Sequence, residues 1–259
     1  MSVVDFLVRA AGEFRRGGYV FTGFHWPVLA ARLAHQLPGE PFAEVYEAGA
    51  VCDRPATTVA TSTTDHHAYA DAVAWRGTSS DVLLCLAARC DRVVLDAANV
   101  DLAGRINASM VGAGDPPQVR LAGGGGAADV AASARELVLL HGGADPTRLA
   151  ARVQHVTAAP GPAAPVRLHT RWGTLRLGAR PRLVELVDTA GTDEFLRRLT
   201  DLGVPVDPAR PVAPVPPAAR RAARRTLAEA ADRGYRVARQ ALAEKTGPGH
   251  PATDDGGQP

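Results

Sequence analysis

Apolar residues at Val3, Val4, Phe6, Leu7, Ala10, Ala11 and Phe14 recur at helical spacing, and Gly17-Gly18 follow, so the pattern predicts an N-terminal helix that stops there. A short strand, Tyr19 to Thr22, comes next. Pro27 then stands where a first-turn proline belongs, and Val28, Leu29, Ala31, Leu33, Ala34 and Leu37 predict a second helix. The stretch Phe42 to Val51 alternates like a strand and halts at a small-residue turn, with Glu47 at the strand's end. Strand, helix, strand is the rhythm of a parallel sheet.

Residues 52 to 78 lack clear periodicity. Beyond them the pattern predicts a capped helix at Ser80 to Ala88 and a buried strand at Arg92 to Ala97. Further strands are expected at Arg105 to Val111, Val119 to Leu121 and Leu137 to Leu140, with a helix from about Ala127 to Arg135 before the last. After a proline- and glycine-interrupted stretch, Val166 to His169, Gly173 to Leu177 and Leu183 to Leu186 read as a meander of short strands. The expected fold class is therefore α/β: a mostly parallel open sheet with flanking helices plus a smaller antiparallel layer. Asp193 to Leu202 should be helical and Pro205 to Pro217 a proline-rich connector. An arginine- and alanine-rich helix spans 218 to 243. The domain is thus expected over 1–243, with a disordered tail at 244–259.

Composition narrows the function classes. The 46% apolar content of 259 residues suffices for a full core, and the net charge of +2 gives no global nucleic-acid footprint. Cys52, Cys85 and Cys90 have neither CxxC spacing nor an even count, so neither a disulfide framework nor a zinc knuckle is expected, and the cysteines read as buried. Ser2 to Arg16 carries charges at helical intervals, unlike a signal peptide or a membrane span. The expectation is a cytoplasmic protein without nucleic-acid or membrane partners. Lys245 is the sole lysine, which excludes a Walker-type phosphate loop.

Three features invite chemistry. Glu47 lies where parallel sheets place their ligands, at a strand's C-terminal end, and is either catalytic or a solvated strand end. Residues 119–129 run from a strand through Gly123, Gly124, Gly125 and Gly126 into a helix, a pattern that lets backbone N–H groups approach an anion as a phosphate cradle or an oxyanion hole. Asp65, His66 and His67 suggest a metal, but neighbouring histidines diverge and no further ligand spacing accompanies them, so a polar loop is expected and no metal site. Phe24, His25 and Trp26, just before a helix, could line a pocket or simply pack.

Taken in order, Gly23 to Pro27 followed by a helix, Val-Tyr-Glu-Ala-Gly, Ala-Asn-Val-Asp-Leu-Ala-Gly-Arg-Ile-Asn at 98–107, and Val-Arg-Leu-Ala-Gly-Gly-Gly-Gly-Ala resemble the β subunit of family I CoA-transferases, the glutaconate CoA-transferase type above all. The similarity spans most of the chain up to about residue 206. It implies a two-subunit enzyme, αβ or α2β2, that takes coenzyme A as acyl-CoA. Glu47 matches the family's nucleophile, which passes through an acyl-glutamyl anhydride and a glutamyl-CoA thioester. Gly123 to Gly126 match its glycine loop. The chain also departs from the family. Phe24-His25-Trp26 is bulkier than the family's turn, Asn99 replaces a glutamine, Arg105 an asparagine, Gly124 a serine and Ala128 an asparagine. A related branch that lacks the glutamate hydrolyses ring ketones, so a hydrolase or C–C lyase and a non-catalytic β-like partner are the alternatives.

Overall fold

The structure, a computed structural model, describes residues 3–112, 116–207 and 209–243, without the side chains of residues 67 and 68. Helix α1 (Val3–Phe14) buries the apolar stripe read from the sequence. Strand β1 (Arg16–Thr22) begins before the expected Tyr19, because Gly17 and Gly18 do more than end the helix. Both adopt positive φ, and a Cβ at either would lie 2.8 Å from Glu40 Cβ or 2.2 Å from Asp91 Oδ2. Two glycines thus let the chain turn directly from helix into strand. Helix α2 (Trp26–Ala34) leads to β2 (Glu40–Tyr46), a tight turn, and β3 (Ala50–Cys52).

The segment without clear periodicity holds the single turn α3 (His66–Tyr69) and β4 (Val73–Arg76). The helix expected at Ser80 to Ala88 is a composite: α4 (Ser79–Asp81) continues through a π turn and ends in a 3-10 turn at Arg89. Thr78 and Asp81 cap it reciprocally. Then come β5 (Arg92–Asp96), β6 (Val100–Asp101), β7 (Met110–Val111), β8 (Val119–Arg120), α5 (Ala127–Ser133), β9 (Leu137–His141) and β10 (Leu149–Ala150). The strand expected at Arg105 to Val111 is therefore mostly loop, retaining only β7 and isolated bridges at Ile106. The meander is β11 (Val166–Thr170), β12 (Gly173–Leu177) and β13 (Arg182–Leu186), followed by α6 (Thr192–Asp201) and β14 (Arg210–Pro211). The final helix divides into α7 (Pro217–Asp232) and α8 (Arg236–Ala243) at Gly234, whose φ is +94°. The tail expected from residue 244 lies outside the described residues.

Ten strands form one sheet in the order β14-β13-β12-β11-β9-β5-β1-β2-β3-β4. The five from β11 to β2 are parallel, and the meander extends their edge instead of lying on it. The separate antiparallel element is the small β7–β8 pair. Helices α1, α2, α7 and α8 cover one face, while α5, α6 and the 79–89 helix pack on the other. Central strands β5 and β9 are buried along nearly their whole length, as continuous aliphatic runs between two layers must be. The direction of strand progression reverses between β1 and β5, so the C-terminal ends of these strands open onto a crevice.

At the opposite, N-terminal edge, Glu13 is buried and accepts hydrogen bonds from Arg16 (2.6 Å), Arg167 (2.8 Å) and His169 (2.7 Å). Burial opposes its ionisation, but these partners outweigh burial and hold the carboxyl far below the usual carboxylate range. A depressed folded-state pKa gives stability that is complete above the unfolded value, near pH 4.5, and lost progressively below it. Urea unfolding between pH 7 and pH 3 should show that loss. Glu13→Gln should flatten the pH dependence and lower stability at pH 7.

Candidate active site

Glu47 occupies the first position of the β2–β3 turn, and the turn is fixed from behind. Gly49 has φ +97°, and a Cβ there would sit 2.3 Å from the Gly77 carbonyl oxygen. Gly49 N–H donates to Tyr46 O at 3.0 Å, and Gly77 N–H to Gly49 O at 2.8 Å. The backbone that carries the half-buried Glu47 side chain cannot slide without breaking both bonds.

The glycine loop meets this carboxylate directly. Gly126, the residue that begins α5, donates its N–H to Glu47 Oε1 at 3.1 Å. A Cβ on Gly125, whose φ is +50°, would lie 3.3 and 3.5 Å from the two carboxylate oxygens. On Gly126 it would lie 2.5 Å from Leu83 Cδ2, and on Gly124 2.6 Å from Thr157 Cγ2. Glycine is needed here for close approach. The four N–H groups differ in use: Gly123 donates to Ala108 O and Gly126 to Glu47, whereas those of Gly124 and Gly125 have no protein acceptor among the described residues. Two N–H groups without a protein acceptor among the described residues therefore precede the Gly126 donor in the same loop, available to stabilise negative charge developing on a neighbouring carbonyl oxygen.

The 98–107 stretch, together with Thr157 and Ser109 that the sequence reading did not single out, holds the loop in place. Thr157 Oγ1 accepts from Ala108 N–H at 2.9 Å and pairs with Ser109 Oγ at 2.7 Å. Asn107 Oδ1 accepts from the N–H groups of Ser109 and Met110, an Asx turn legible from its asparagine once the turn is known. Asp101, fully buried, accepts from the N–H groups of Ala103, Arg105 and Val153 and from Arg105 Nε at 2.8 Å. Arg105 thus braces the 101–107 loop through Asp101.

The other candidates divide. Trp26 is buried and packs edge-on against Phe6, while Phe24 packs against Tyr235 of the C-terminal helices. Trp26 also lines a cavity of about 560 Å3 with Gly142, Gly143 and Arg171. His25 stays at the crevice between β1 and β5, where its Nδ1–H donates to Asp96 Oδ2 at 3.1 Å. It is the one non-glycine residue with positive φ (+62°) among the described residues, a conformation that costs on the order of 1–3 kcal/mol. Asn99 donates to Asn107 O and accepts from Arg148. No hydrogen bond or ring contact joins Phe24, His25, Trp26 or Asn99 to Glu47 among the described residues.

Cys52 and Cys90 are buried, and burial pushes both thiols up to about 12, which suits packing and not nucleophilic chemistry. Cys85, expected to be buried, is exposed. Among the described residues no group of three or more histidines, cysteines and carboxylates is arranged to hold a metal, and no helix is long and apolar enough to cross a membrane.

The whole architecture is similar to solved structures. The decarboxylase AibA/AibB superposes with a TM-score of 0.71 at 27% identity, covering 86% of this chain and 93% of that one. Glutaconate coenzyme A-transferase from Acidaminococcus fermentans gives 0.71 at 19% identity, covering 85% and 92%. The chain has the CoA-transferase fold. An E. coli O157:H7 acyl-CoA transferase, YdiF, solved as a thioester complex with CoA, matches at 0.57 and 15% identity, over 82% of this chain and 43% of its own. No family model and no curated protein matches the sequence. On the CoA-transferase fold, Glu47 and the glycine loop face each other at the carboxyl edge of the parallel strands.

Removing the buried brace should disrupt this edge. Asp101→Ala strands the Arg105 guanidinium and three N–H groups, and is expected to cost on the order of 3 kcal/mol in urea unfolding. An unchanged midpoint would show that the loop holds without it.

Proposed function

We propose that this chain is the β-type subunit of a heteromeric CoA-transferase that moves CoA from an acyl-CoA to a carboxylic acid in the cytoplasm. The observation that carries the reading is the Glu47 carboxylate set against the glycine loop and bound by Gly126 N–H, with the N–H groups of Gly124 and Gly125 in the same loop left without a protein acceptor among the described residues. A Glu47 oxygen attacks the acyl-CoA carbonyl, and the C–S bond breaks to release the CoA thiolate and leave an acyl-glutamyl anhydride. The thiolate then attacks the Glu47 carbonyl carbon, freeing the acyl group as its carboxylate and leaving a glutamyl-CoA thioester. A second carboxylate reverses both steps and leaves as the new acyl-CoA. Each addition puts charge on a carbonyl oxygen, for which the Gly124 and Gly125 N–H groups would serve as donors. A fixed turn holds the weak carboxylate nucleophile at a constant angle of attack.

The partner is inferred from the rim of the site. Leu84, Val119 and Val156 are 75%, 49% and 43% exposed, and each belongs to a segment that builds the loop's surroundings. Leu84 follows the Leu83 that touches Gly126, Val156 precedes Thr157, and Val119 leads into the loop. Exposed apolar side chains on the segments that flank the loop fit an obligate subunit contact. The match spans 43% of the E. coli transferase chain, which leaves room in that one chain for a second unit of similar length.

A second reading, C–C bond cleavage in an acyl-CoA, has the 27% identity to a decarboxylase in its favour. The products separate the two. With its partner subunit, a transferase converts an acyl-CoA and a second carboxylate into a new acyl-CoA with no loss of carbon, whereas a decarboxylase releases CO2.

Two variants test the assignment. Glu47→Gln should lower kcat by at least on the order of 10³. Gly125→Val should cost about 10² to 10³ in kcat with the fold intact by circular dichroism. Full transfer by folded Glu47→Gln would remove the nucleophile. For the rim, Leu84→Glu with Val119→Glu should abolish co-purification with the partner, and a well-behaved monomer that turns over acyl-CoA unaided would overturn the two-subunit reading.

A further inference from the structure

Arg167, Arg176 and Arg182 lie side by side across β11, β12 and β13, each directly paired in register with the next. Like charges directly opposite on a sheet destabilise it. Arg167 is engaged by Glu13 and Glu136, but the exposed Arg176 and Arg182 side chains make no hydrogen bond or ion pair among the described residues. Arg210 from β14 adds a further guanidinium, paired with Glu185. Helix α1 forms the wall and contributes Arg9, whose Nη1 donates to Thr174 Oγ1 while its buried Nε has no partner. These residues line a cavity of about 550 Å3, within the size range of small-molecule sites.

Gly12 lines the same cavity from the last turn of α1, where a glycine still has a lower helix propensity than alanine. Packing does not require it, since a Cβ would meet nothing within 4 Å. Two locally unfavourable choices, a row of three arginines of which two are unpaired among the described residues and a glycine in the last turn of α1, thus converge on one basin.

We propose that this basin is a binding site for a phosphate-bearing small anion of nucleotide size. Arg176 and Arg182 supply the primary charge, Arg210 and Arg9 supply further donors, and Gly12 leaves room beside the helix. Five guanidinium groups face two carboxylates here, Glu13 and Glu185, so the cavity retains excess positive charge. The basin is separate from the proposed catalytic site. Four strand spacings separate β11 from β2, on the order of 19 Å. The basin also opens on the α1 face, whereas Glu47 meets α5 on the other. The inference does not depend on the transferase reading.

Isothermal titration of the full chain, with any partner subunit that co-purifies, tests it in 50 mM salt with ADP, pyrophosphate and inorganic phosphate as probes. ADP or pyrophosphate should bind in the micromolar range, and Arg176→Ala with Arg182→Ala should weaken binding at least tenfold. Equal affinities would assign the site to phosphate groups alone, and tighter ADP would give the nucleoside a share; either supports the site. The same double variant should raise the ligand-free Tm by relieving repulsion, and its Tm should no longer respond to pyrophosphate. Gly12→Leu should weaken binding while leaving Glu47-dependent turnover unchanged. No binding of any probe up to 1 mM, or equal affinity in wild type and double variant, would overturn the proposal. So would a 20-nucleotide single strand bound tenfold more tightly than ADP through the same arginines.

Discussion

One backbone N–H joins the two halves of the candidate site: Gly126 donates to Glu47 across 79 residues of sequence. For that bond to form, two loops must approach with no Cβ between them. The requirement explains glycine at 124, 125 and 126, and the fixed turn through Gly49 and Gly77 that presents the carboxylate. The 79–89 helix supplies Leu83 as the packing surface under Gly126, and the 101–110 loop, organised by Asp101 and Asn107, holds the glycine segment from its N-terminal side. Much of the irregular structure on this edge serves to bring one N–H to one carboxylate.

The sheet contributes by aligning strand ends. Because the five central strands are parallel, the residues after β1, β2, β5 and β9 emerge on one edge, and the reversal of strand order between β1 and β5 opens that edge. His25 occupies the opening in a backbone conformation that alanine-like residues avoid, and Asp96 at the end of β5 holds its ring. Trp26 and Phe24, its neighbours, turn back into the core. The bulky turn therefore serves two purposes: Trp26 packs on α1 and Phe24 on Tyr235 between α7 and α8, while its histidine faces the crevice.

Elements with an unbroken period were legible in the sequence. The stripes of α1 and α2, the aliphatic runs of β5 and β9 and the meander all follow from spacing, since burial on one face or two imposes the pattern. Glu47 at a strand end and the four consecutive glycines were visible for the same reason. Elements set by non-local contact were not. The helix expected over 218–243 breaks at Gly234, and the strand expected at Arg105 to Val111 becomes a loop because Asp101 and Asn107 take up backbone N–H groups that a strand would have paired. Cys85, apolar in the pattern, faces outward where the π turn rotates the helix. The pairing of His25 with Asp96 spans 71 residues and leaves no local trace.

The proposed transfer requires Glu47 to carry CoA covalently during turnover. Incubation of the chain and its partner with acetyl-CoA, followed by borohydride reduction and peptide mass spectrometry, addresses that claim directly. The peptide containing Glu47, and no other, should be recovered lighter than its unmodified form by the difference between a carboxyl group and a primary alcohol, and Glu47→Gln should show no such change. Reduction at a different residue, or active enzyme in which Glu47 stays unmodified under turnover, would contradict it.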